Sequence, residues 1–427
     1  MKEKEHTSDS SVVWLTSSVL GIVLATYLSD FSHEACTAVL PLYLAAIGLG
    51  PGALGLIEGL ADFLVSISKL GGGLLGQRVR HKRPWAAVGY ALTGAATACI
   101  GLVHSTAAIV SLRCVAWIAR GYRGPLRDSM MADAVPRTHY GRAFGLERAG
   151  DMLGAVSGPL IAALLVWVGW ARDNIILLTV IPGLAAAAAF YFLTREKTSA
   201  AAEPASGAST QRLTREKTSA AAEPASGAST QGPAIPARFW QFLVGVFFFG
   251  LGDFSRTFLI YLAAQALGED KKSSAAMISL AVLLYAFHNL ISALAAYIIG
   301  HLADRVDKLR LLVAGYALGV VTNGLLGLAG GSIAWLVVAL ILSAIYLAAE
   351  QTLEKAAAAE FLPREQRSLG FGILASSNAV GDMVSSLAVG FLLQFGRPEV
   401  AFGSAAAVGA CGVIWLFGLV VRENRQP

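Results

Sequence analysis

Four arginines share one apolar stretch of the sequence, residues 111–136. Arg113, Arg120, Arg123 and Arg127 fall within about 80° of one another at about 100° per residue, so a helix here carries one cationic stripe. A charge inside a bilayer is costly unless it faces protein or water, so the stripe predicts a polar cavity. Guanidinium groups bind anions. Arg120, Arg123 and Arg127 are therefore the predicted solute contacts, with Arg113 as a charge partner for nearby acids.

Three titratable residues share one face of the first apolar stretch. Asp30, His33 and Glu34 stand at positions i, i+3 and i+4 of a predicted helix. A carboxyl group buried in such a helix can exchange a proton when a cation or solute arrives, which is the chemistry of a proton-coupled carrier. The same oxygen and nitrogen atoms are candidate ligands for an iron ion. The structural alternative is that Asp30 and Glu34 pair permanently with the arginine stripe.

Other charged residues extend the predicted cavity to both halves of the chain. Glu58 and Asp62 share a face with Lys69, and a structural Asp62–Lys69 pair is an equal alternative to a role in proton coupling. A cavity with one basic and one acidic wall suits a zwitterionic or anionic solute, or else a cation or metal ion. In the second half the pattern changes sign, and the candidates there are Tyr346, Glu350, Glu354 and Arg256 as solute contacts and Asp253 for proton coupling.

The composition indicates the class of protein that holds these residues. Of 427 residues, 55% are hydrophobic and 14% are charged, and the mean hydropathy is +0.61. This balance is typical of a polytopic, all-α membrane protein and is too apolar for a soluble chain of this length. The basic residues cluster in short loops between apolar segments. They therefore indicate topology rather than nucleic-acid binding, and they place both termini in the cytoplasm.

Windows of about 20 apolar residues predict twelve transmembrane helices. The predicted spans are 12–45, 53–76, 85–104, 106–134, 143–168, 174–192, 239–266, 273–301, 309–328, 332–361, 369–394 and 400–421. After the sixth span, residues 193–211 recur unchanged as residues 213–231, a tandem repeat with a 20-residue period. This Ala-, Ser-, Glu- and Pro-rich sequence cannot bury a core, so it predicts a disordered cytoplasmic linker.

A second repeat relates the two halves of the chain. The tripeptide Asp-Phe-Ser occurs at 30–32 and again at 253–255, and the dipeptide Pro-Arg occurs at 136–137 and again 227 residues later at 363–364. Two bundles of common origin form the architecture of a secondary transporter, with the solute site at their interface. The predicted units are a six-helix bundle at 1–192, the linker at 193–237 and a six-helix bundle at 238–427.

These features give the chain a resemblance to the major facilitator superfamily over nearly its whole length. The loop motif of that family, GxLaDRxGRR, follows the eighth span, where Gly300, Asp304 and Arg305 match it, whereas the first-half copy has Gln77 in place of the acid. Residues 120–128, RGYRGPLRD, are similar to a bacterial branch with RGxRxPxRD in the fourth helix. The fifth span has the spacing of the family's antiporter motif, formed by Gly145, Gly154, Gly158 and Pro159.

The resemblance implies a secondary active transporter that works by alternating access, as a monomer, in the cytoplasmic membrane or a membrane derived from it. Coupling to protons is expected, and the antiporter spacing favours export over uptake. The sequence has no Walker loop, HExxH or GxSxG motif, so neither an enzyme activity nor a cofactor is expected.

Two alternatives stay open at the level of the sequence. The first is an iron or metal-chelate carrier, since transporters of magnetosome membranes and siderophore carriers are among the relatives of similar length. The second is a non-transporting sensor or scaffold that kept the fold and uses the linker for docking.

The linker provides the first testable prediction. Deleting residues 212–231 removes one copy of the repeat and leaves a flexible tether with a reach of roughly 5–6 Å × √n for its n residues. We expect solute transport in proteoliposomes to survive, because the remaining copy still joins the bundles. A deletion variant that is expressed at the normal level but has lost its function would support the scaffold alternative.

Overall fold

The computed structural model describes residues 14–47, 51–196, 234–254, 274–328, 332–395 and 397–423, and for 51–63 and 274–282 it describes the backbone alone. All regular structure in these residues is helical. The first half contains α1 (Ser17–Ala46), α2 (Pro51–Arg78), α3 (Lys82–Cys99), α4 (Thr106–Ala134), α5 (Tyr140–Trp167), α6 (Arg172–Leu178) and α7 (Val180–Leu193). The second half contains α8 (Ala237–Gly250), α9 (Ser274–Ala303), α10 (Lys308–Leu328), α11 (Ile333–Phe361), α12 (Arg367–Gln394) and α13 (Pro398–Glu423).

Local sequence signals explain where several helices begin and bend. The side chain of Ser105 caps α4 by accepting a hydrogen bond from a backbone N–H of the first turn at 3.3 Å. Pro136 and Pro363 follow the ends of α4 and α11, and each starts a short 3-10 turn that leads into the next helix. Pro125 and Pro159 lie inside α4 and α5, where each removes one backbone hydrogen bond and permits a bend.

The two halves repeat the same helix boundaries. Helices α4 and α11 begin at Thr106 and Ile333 and end at Ala134 and Phe361, an offset of 227 residues at both ends. Helices α5 and α12 keep that offset from their first residue to their last. The repeat seen in the Pro-Arg dipeptides is therefore also a repeat of secondary structure.

Within the described residues, seven helical segments are long and apolar enough to cross a membrane. They are Lys82–Leu102, Arg137–Trp167, Arg172–Leu193, Leu283–Ala303, Lys308–Leu328, Ala334–Phe361 and Pro398–Arg422. Helices α1, α4 and α12 are as long but fall outside this set, because polar and charged side chains interrupt their apolar sequence. The predicted count of twelve spans stays a prediction.

Small residues bring α5 close to helices of both halves. A Cβ atom built on Gly154 would lie 2.5 Å from the carbonyl oxygen of Tyr27 in α1, and Gly158 approaches α1 equally closely one turn later. Gly145 faces the other half, where a Cβ atom would lie 2.8 Å from the Cα atom of Gly300 in α9. Only small residues allow helices to approach this closely. The antiporter spacing thus forms a packing surface in this structure.

The two halves contact each other at the end of the molecule that carries the loops 79–81, 135–139, 304–307 and 362–366, here termed the basic end. A Cβ atom built on Gly300 would lie 2.5 Å from the carbonyl oxygen of Gly141. Nearby, Arg367 of α12 donates a hydrogen bond of 2.6 Å to Asp133 of α4. Backbone contact and an ion pair therefore close the basic end.

Replacing Gly300 tests how the basic end is closed. In Gly300→Val the new side chain meets backbone atoms of α5, so we expect the basic end to open. Ser129 accepts a hydrogen bond of 2.9 Å from Ser368 across this contact, and Ser129→Cys in a chain without its native cysteines serves as the reporter. The expected result is labelling by a membrane-impermeant maleimide several times faster than in the parent protein.

Gly324→Ala is the matched control, because a Cβ atom at Gly324 would meet nothing within 4 Å. Labelling at Ser129→Cys should be unchanged in this control. Equal labelling rates in the two glycine variants would show that the Gly300 contact does not keep the basic end closed.

Candidate functional site

A cavity of about 300 Å³ lies between the two halves. More than half of the residues that line it carry a formal charge, so it suits a polar solute better than an apolar one. The acidic residues of the lining are Asp30, Asp128, Glu147, Asp151, Asp253, Glu350, Glu354 and Asp382. The basic residues are Lys69, Arg120, Arg123, Arg127, Arg148 and Lys355.

Arg120 and Asp30 form an ion pair on the wall contributed by the first half. The Asp30 side chain is 3% exposed and the Arg120 side chain is 25% exposed, so one member is buried and the other is accessible. The Arg120 guanidinium also lies 5.8 Å from the ring centroid of Trp117. The structure thus joins a predicted proton-coupling residue to a predicted solute contact.

Arg123 lies in the same wall, and no carboxylate of the described residues forms an ion pair with it. Its guanidinium lies over the ring of Tyr90, 3.8 Å from the centroid, and donates a hydrogen bond of 2.7 Å to the hydroxyl of Ser29. The residue is 3% exposed. Its Nη1 atom has no hydrogen-bond partner, and the described residues offer it no ion pair. Arg123 is therefore a buried cation that forms no ion pair with a carboxylate of the described residues.

Arg127, Asp128, Glu147 and Lys355 form one charged cluster, here termed the bridging network. Arg127 contacts Glu147 at 2.8 Å and Asp128 at 2.9 Å. Lys355 contacts Glu147 at 3.3 Å and Asp128 at 3.6 Å. Lys355 belongs to α11 of the second half, whereas the other three residues belong to α4 and α5. The network therefore neutralises buried charges and ties the halves together at the same time.

The wall contributed by the second half presents carboxylates bound by neutral groups. The hydroxyl of Tyr346 donates a hydrogen bond of 2.8 Å to Asp253. Glu354 accepts hydrogen bonds from the hydroxyl of Tyr316 and the side-chain amide of Asn378. Glu354 is 2% exposed. Both of these partners are neutral, and the described residues offer Glu354 no ion pair.

Three predicted site residues of the first half lie outside the cavity lining, and so does Tyr346 of the second half. His33 packs edge-on against the indole ring of Trp117, with 4.7 Å between ring centroids. Arg113 is fully buried, and its guanidinium also lies against that indole ring, 5.3 Å from the centroid. Glu34 accepts a hydrogen bond of 3.3 Å from Tyr285 of α9, which is a contact between the halves. The spacing of these residues placed them on interior helix faces but could not assign them to the cavity.

The structure does not bring Asp30, His33 and Glu34 together as a metal site. Among the described residues, no group of three His, Cys, Asp or Glu side chains could hold a metal ion. The three residues share one helix, but each of them contacts a different partner. Asp30 binds Arg120 and Glu34 binds Tyr285. The geometry therefore does not support the expectation of iron ligands at this trio.

The loop motif after α9 forms a contact with the start of α5. Asp304 accepts hydrogen bonds from the backbone N–H groups of Gly141 at 2.8 Å and Arg142 at 3.3 Å. Burial raises the pKa of the Asp304 carboxyl, and these hydrogen bonds act in the opposite direction. The equivalent residue of the first half, Gln77, contacts Gln366 at the start of α12 instead. Arg305, the next residue of the motif, is exposed.

Some predicted residues lie outside the described part of the chain, and some lining residues were not predicted. The side chains of Glu58 and Asp62, and the whole of Arg256, are not described. Sequence reasoning did not assign Lys355 and Asp382 to the site. The available signal was a charged residue inside an apolar span, which marks a helix face turned away from lipid.

The fold and the cavity together define a class of protein. Helices long enough to cross a membrane surround a charged cavity between two halves with repeated helix boundaries, which is the arrangement of a multi-pass membrane carrier. The family model of the Major Facilitator Superfamily matches residues 22–287 and 242–427, and the chain belongs to this superfamily of transporters.

Comparison with individual proteins agrees with this assignment. An uncharacterized MFS-type transporter of Methanocaldococcus jannaschii is 25% identical over 407 residues, which is 94% of this chain and 95% of that protein. The human organic anion transporter MFSD10 aligns with a TM-score of 0.72 at 14% identity, covering 94% of this chain and 99% of that one. The E. coli fucose:proton symporter FucP aligns with a TM-score of 0.67 at 13% identity, covering 93% and 97%. At these identities the two solved structures show the fold alone.

Removing Lys355 tests the bridging network. Lys355→Met keeps the length of the side chain but removes the cation that connects Glu147 and Asp128 to the second half. We expect the basic end to open more often, because the carboxylates keep Arg127 but lose their tie to α11. The measurement is faster maleimide labelling of Ser129→Cys.

Lys308→Met provides the matched control for this prediction. Lys308 also forms an ion pair, with Glu360 at 2.6 Å, but both of these residues belong to the second half. Labelling should stay at the parent rate in this variant. If both lysine variants label equally fast, loss of any lysine pair has the same effect and the bridging network has no special role in closure.

Proposed function

We propose that this protein is a secondary active transporter that moves a small polar solute across a membrane by alternating access. The observation that carries the proposal is a charged cavity between two repeated halves that meet at the basic end. A site between two related bundles can open to one side and then to the other as the bundles rock. Membership of the Major Facilitator Superfamily supports transport as the activity.

The proposed architecture has twelve transmembrane helices and both termini in the cytoplasm. In this arrangement α6 and α7 form one span with an interruption at Thr179. The two bundles occupy 1–192 and 238–427, and the linker occupies 193–237. We propose a monomer in the cytoplasmic membrane or a membrane derived from it. The proposed direction is export, which rests on the glycine spacing in α5.

Proton coupling is proposed to run through Asp30, with Glu34 as a second acid. A buried carboxylate needs either a counter-charge or a proton. Asp30 has the guanidinium of Arg120 as its counter-charge, and Arg120 lines the cavity. A solute that attracts Arg120 would leave Asp30 to take up a proton. Glu34 is placed to respond to movement of the bundles, because its partner Tyr285 belongs to the other half.

Neutral variants of the two acids test this coupling. Asp30→Asn and Glu34→Gln keep the size of the side chain but cannot carry the proton. In proteoliposomes with an internal pH dye, a mixture of amino acids, carboxylates, amines and sugars should drive proton movement through the wild type. We expect the variants to lose this response and to keep pH-independent exchange of solute, because the cavity itself is unchanged.

The exposed acid Glu399 in the first turn of α13 supplies the control. Glu399→Gln should respond as the wild type does. If Asp30→Asn and Glu34→Gln also respond normally, these acids are structural, and coupling must be sought at Glu58, Asp62, Asp253 or Glu350. A wild type that moves neither protons nor solute would favour the non-transporting sensor or scaffold.

A further inference from the structure

Two buried charges of opposite sign line the cavity without an ion-pair partner among the described residues. Arg123 lies on the first-half wall and Glu354 on the second-half wall. They are 3% and 2% exposed. A buried ion loses most of its solvation by water, so a cavity with two such side chains favours the binding of charged groups that replace the water.

A purely structural role for Arg123 would rest on its contact with Tyr90. That contact alone does not compensate for the burial of the guanidinium. A cation–π contact is weak compared with the solvation that a buried cation loses. The hydrogen bond to Ser29 uses one nitrogen of the guanidinium, and Nη1 has no hydrogen-bond partner among the described residues. Among the described residues, the guanidinium therefore keeps an unused donor at Nη1 and forms no ion pair. A carboxylate or a similar anion supplies what these contacts lack.

Glu354 is a buried acid on the opposite wall, and it also has no ion-pair partner among the described residues. One carboxylate oxygen accepts from Tyr316 and the other from Asn378, and both donors are neutral. An ionised carboxylate can accept about four hydrogen bonds, so capacity remains for a further donor. The neighbouring lysine does not fill this role, because Lys355 contacts Glu147 and Asp128 of the first half. An ammonium group would provide both the donor and the charge.

The other charged residues of the lining also give the two halves different net charges. Among the described lining residues, each half contributes four acids, but the first half also contributes five of the six basic residues, whereas Lys355 is the basic residue of the second half. A purely anionic solute would face the acidic wall, and a purely cationic solute would face the arginines. A solute with both charges satisfies both walls.

We infer that the transported solute is a small zwitterion of the amino-acid type, whose anionic group binds Arg123 and whose ammonium group binds Glu354. The cavity volume of about 300 Å³ is at the small end of ligand sites, which suits a solute of a few carbon atoms. This inference rests on the proposed transport function and adds the class of solute.

The test uses solutes that differ in charge but share their length. Glycine, β-alanine, 4-aminobutyrate and 6-aminohexanoate span a range of charge separations. The alkyl acid and the alkyl amine of each chain length carry one charge only. Dissociation constants follow from the ligand-dependent rise in the thermal unfolding midpoint of the full-length protein in nanodiscs. We expect at least one zwitterion to bind about tenfold or more tightly than both of its singly charged analogues.

Variants then assign each charge to its residue. In Arg123→Gln the preferred zwitterion should bind only as tightly as its amine analogue, and in Glu354→Gln only as tightly as its acid analogue. Arg310→Gln and Glu399→Gln, at exposed positions, should bind as the wild type does. Should Arg123→Gln fail to fold, Arg123→Lys keeps the charge, and we expect it to bind the zwitterion more weakly than the wild type because an ammonium group does not reproduce the planar guanidinium.

Three outcomes would overturn the inference: an acid that binds as tightly as its zwitterion, a series in which nothing binds, or variants with unchanged preference. None of these results would remove the proposed transport function, which is tested separately by the proton movement that the mixed solutes drive in proteoliposomes. If that movement is present and the zwitterion series fails, the protein is a transporter for another class of solute.

Discussion

The structure depends on the cost of holding ionised side chains inside an apolar bundle. An uncompensated charge there loses several kcal/mol of solvation, and the described residues offset this cost with opposite charges from neighbouring helices. Asp30 of α1 binds Arg120 of α4, and Glu147 of α5 binds Arg127 and Lys355. These contacts also determine which helix faces lie together, because each charge must reach its partner. The same interactions therefore stabilise the helix arrangement and form the cavity.

The repeat of helix boundaries makes the difference in charge between the halves informative. Arg123 and Arg127 of α4 occupy the positions that Glu350 and Glu354 occupy in α11, 227 residues later. One helix geometry is thus used twice with opposite charges, and the two walls of the cavity become electrostatically different. The basic end shows a similar asymmetry, because Asp304 binds the start of α5 while the equivalent residue Gln77 does not carry a charge.

The contact between the halves combines close backbone packing at glycines with a small number of ion pairs. Gly145 and Gly300 bring α5 and α9 into backbone contact without interlocking side chains. The ion pairs across the same interface include Arg367 with Asp133 and Lys355 with Glu147. A glycine surface resists sliding less than interdigitated side chains do. These ion pairs can form and break as the halves move, which is a suitable basis for a two-state movement.

The sequence by itself determined the membrane class, the repeat of the two halves and the polar surface that includes Asp30, Arg120, Arg123 and Arg127, all of which line the cavity. These properties could be predicted because hydropathy and helical periodicity depend on residues close together in the chain. Only the tertiary structure showed that Asp30 pairs with Arg120, that His33, Glu34 and Arg113 lie outside the cavity, and that Lys355 joins Glu147. Each of these facts depends on the relative depth and rotation of helices far apart in sequence. Helix packing sets those quantities, and the local pattern of residues does not contain them.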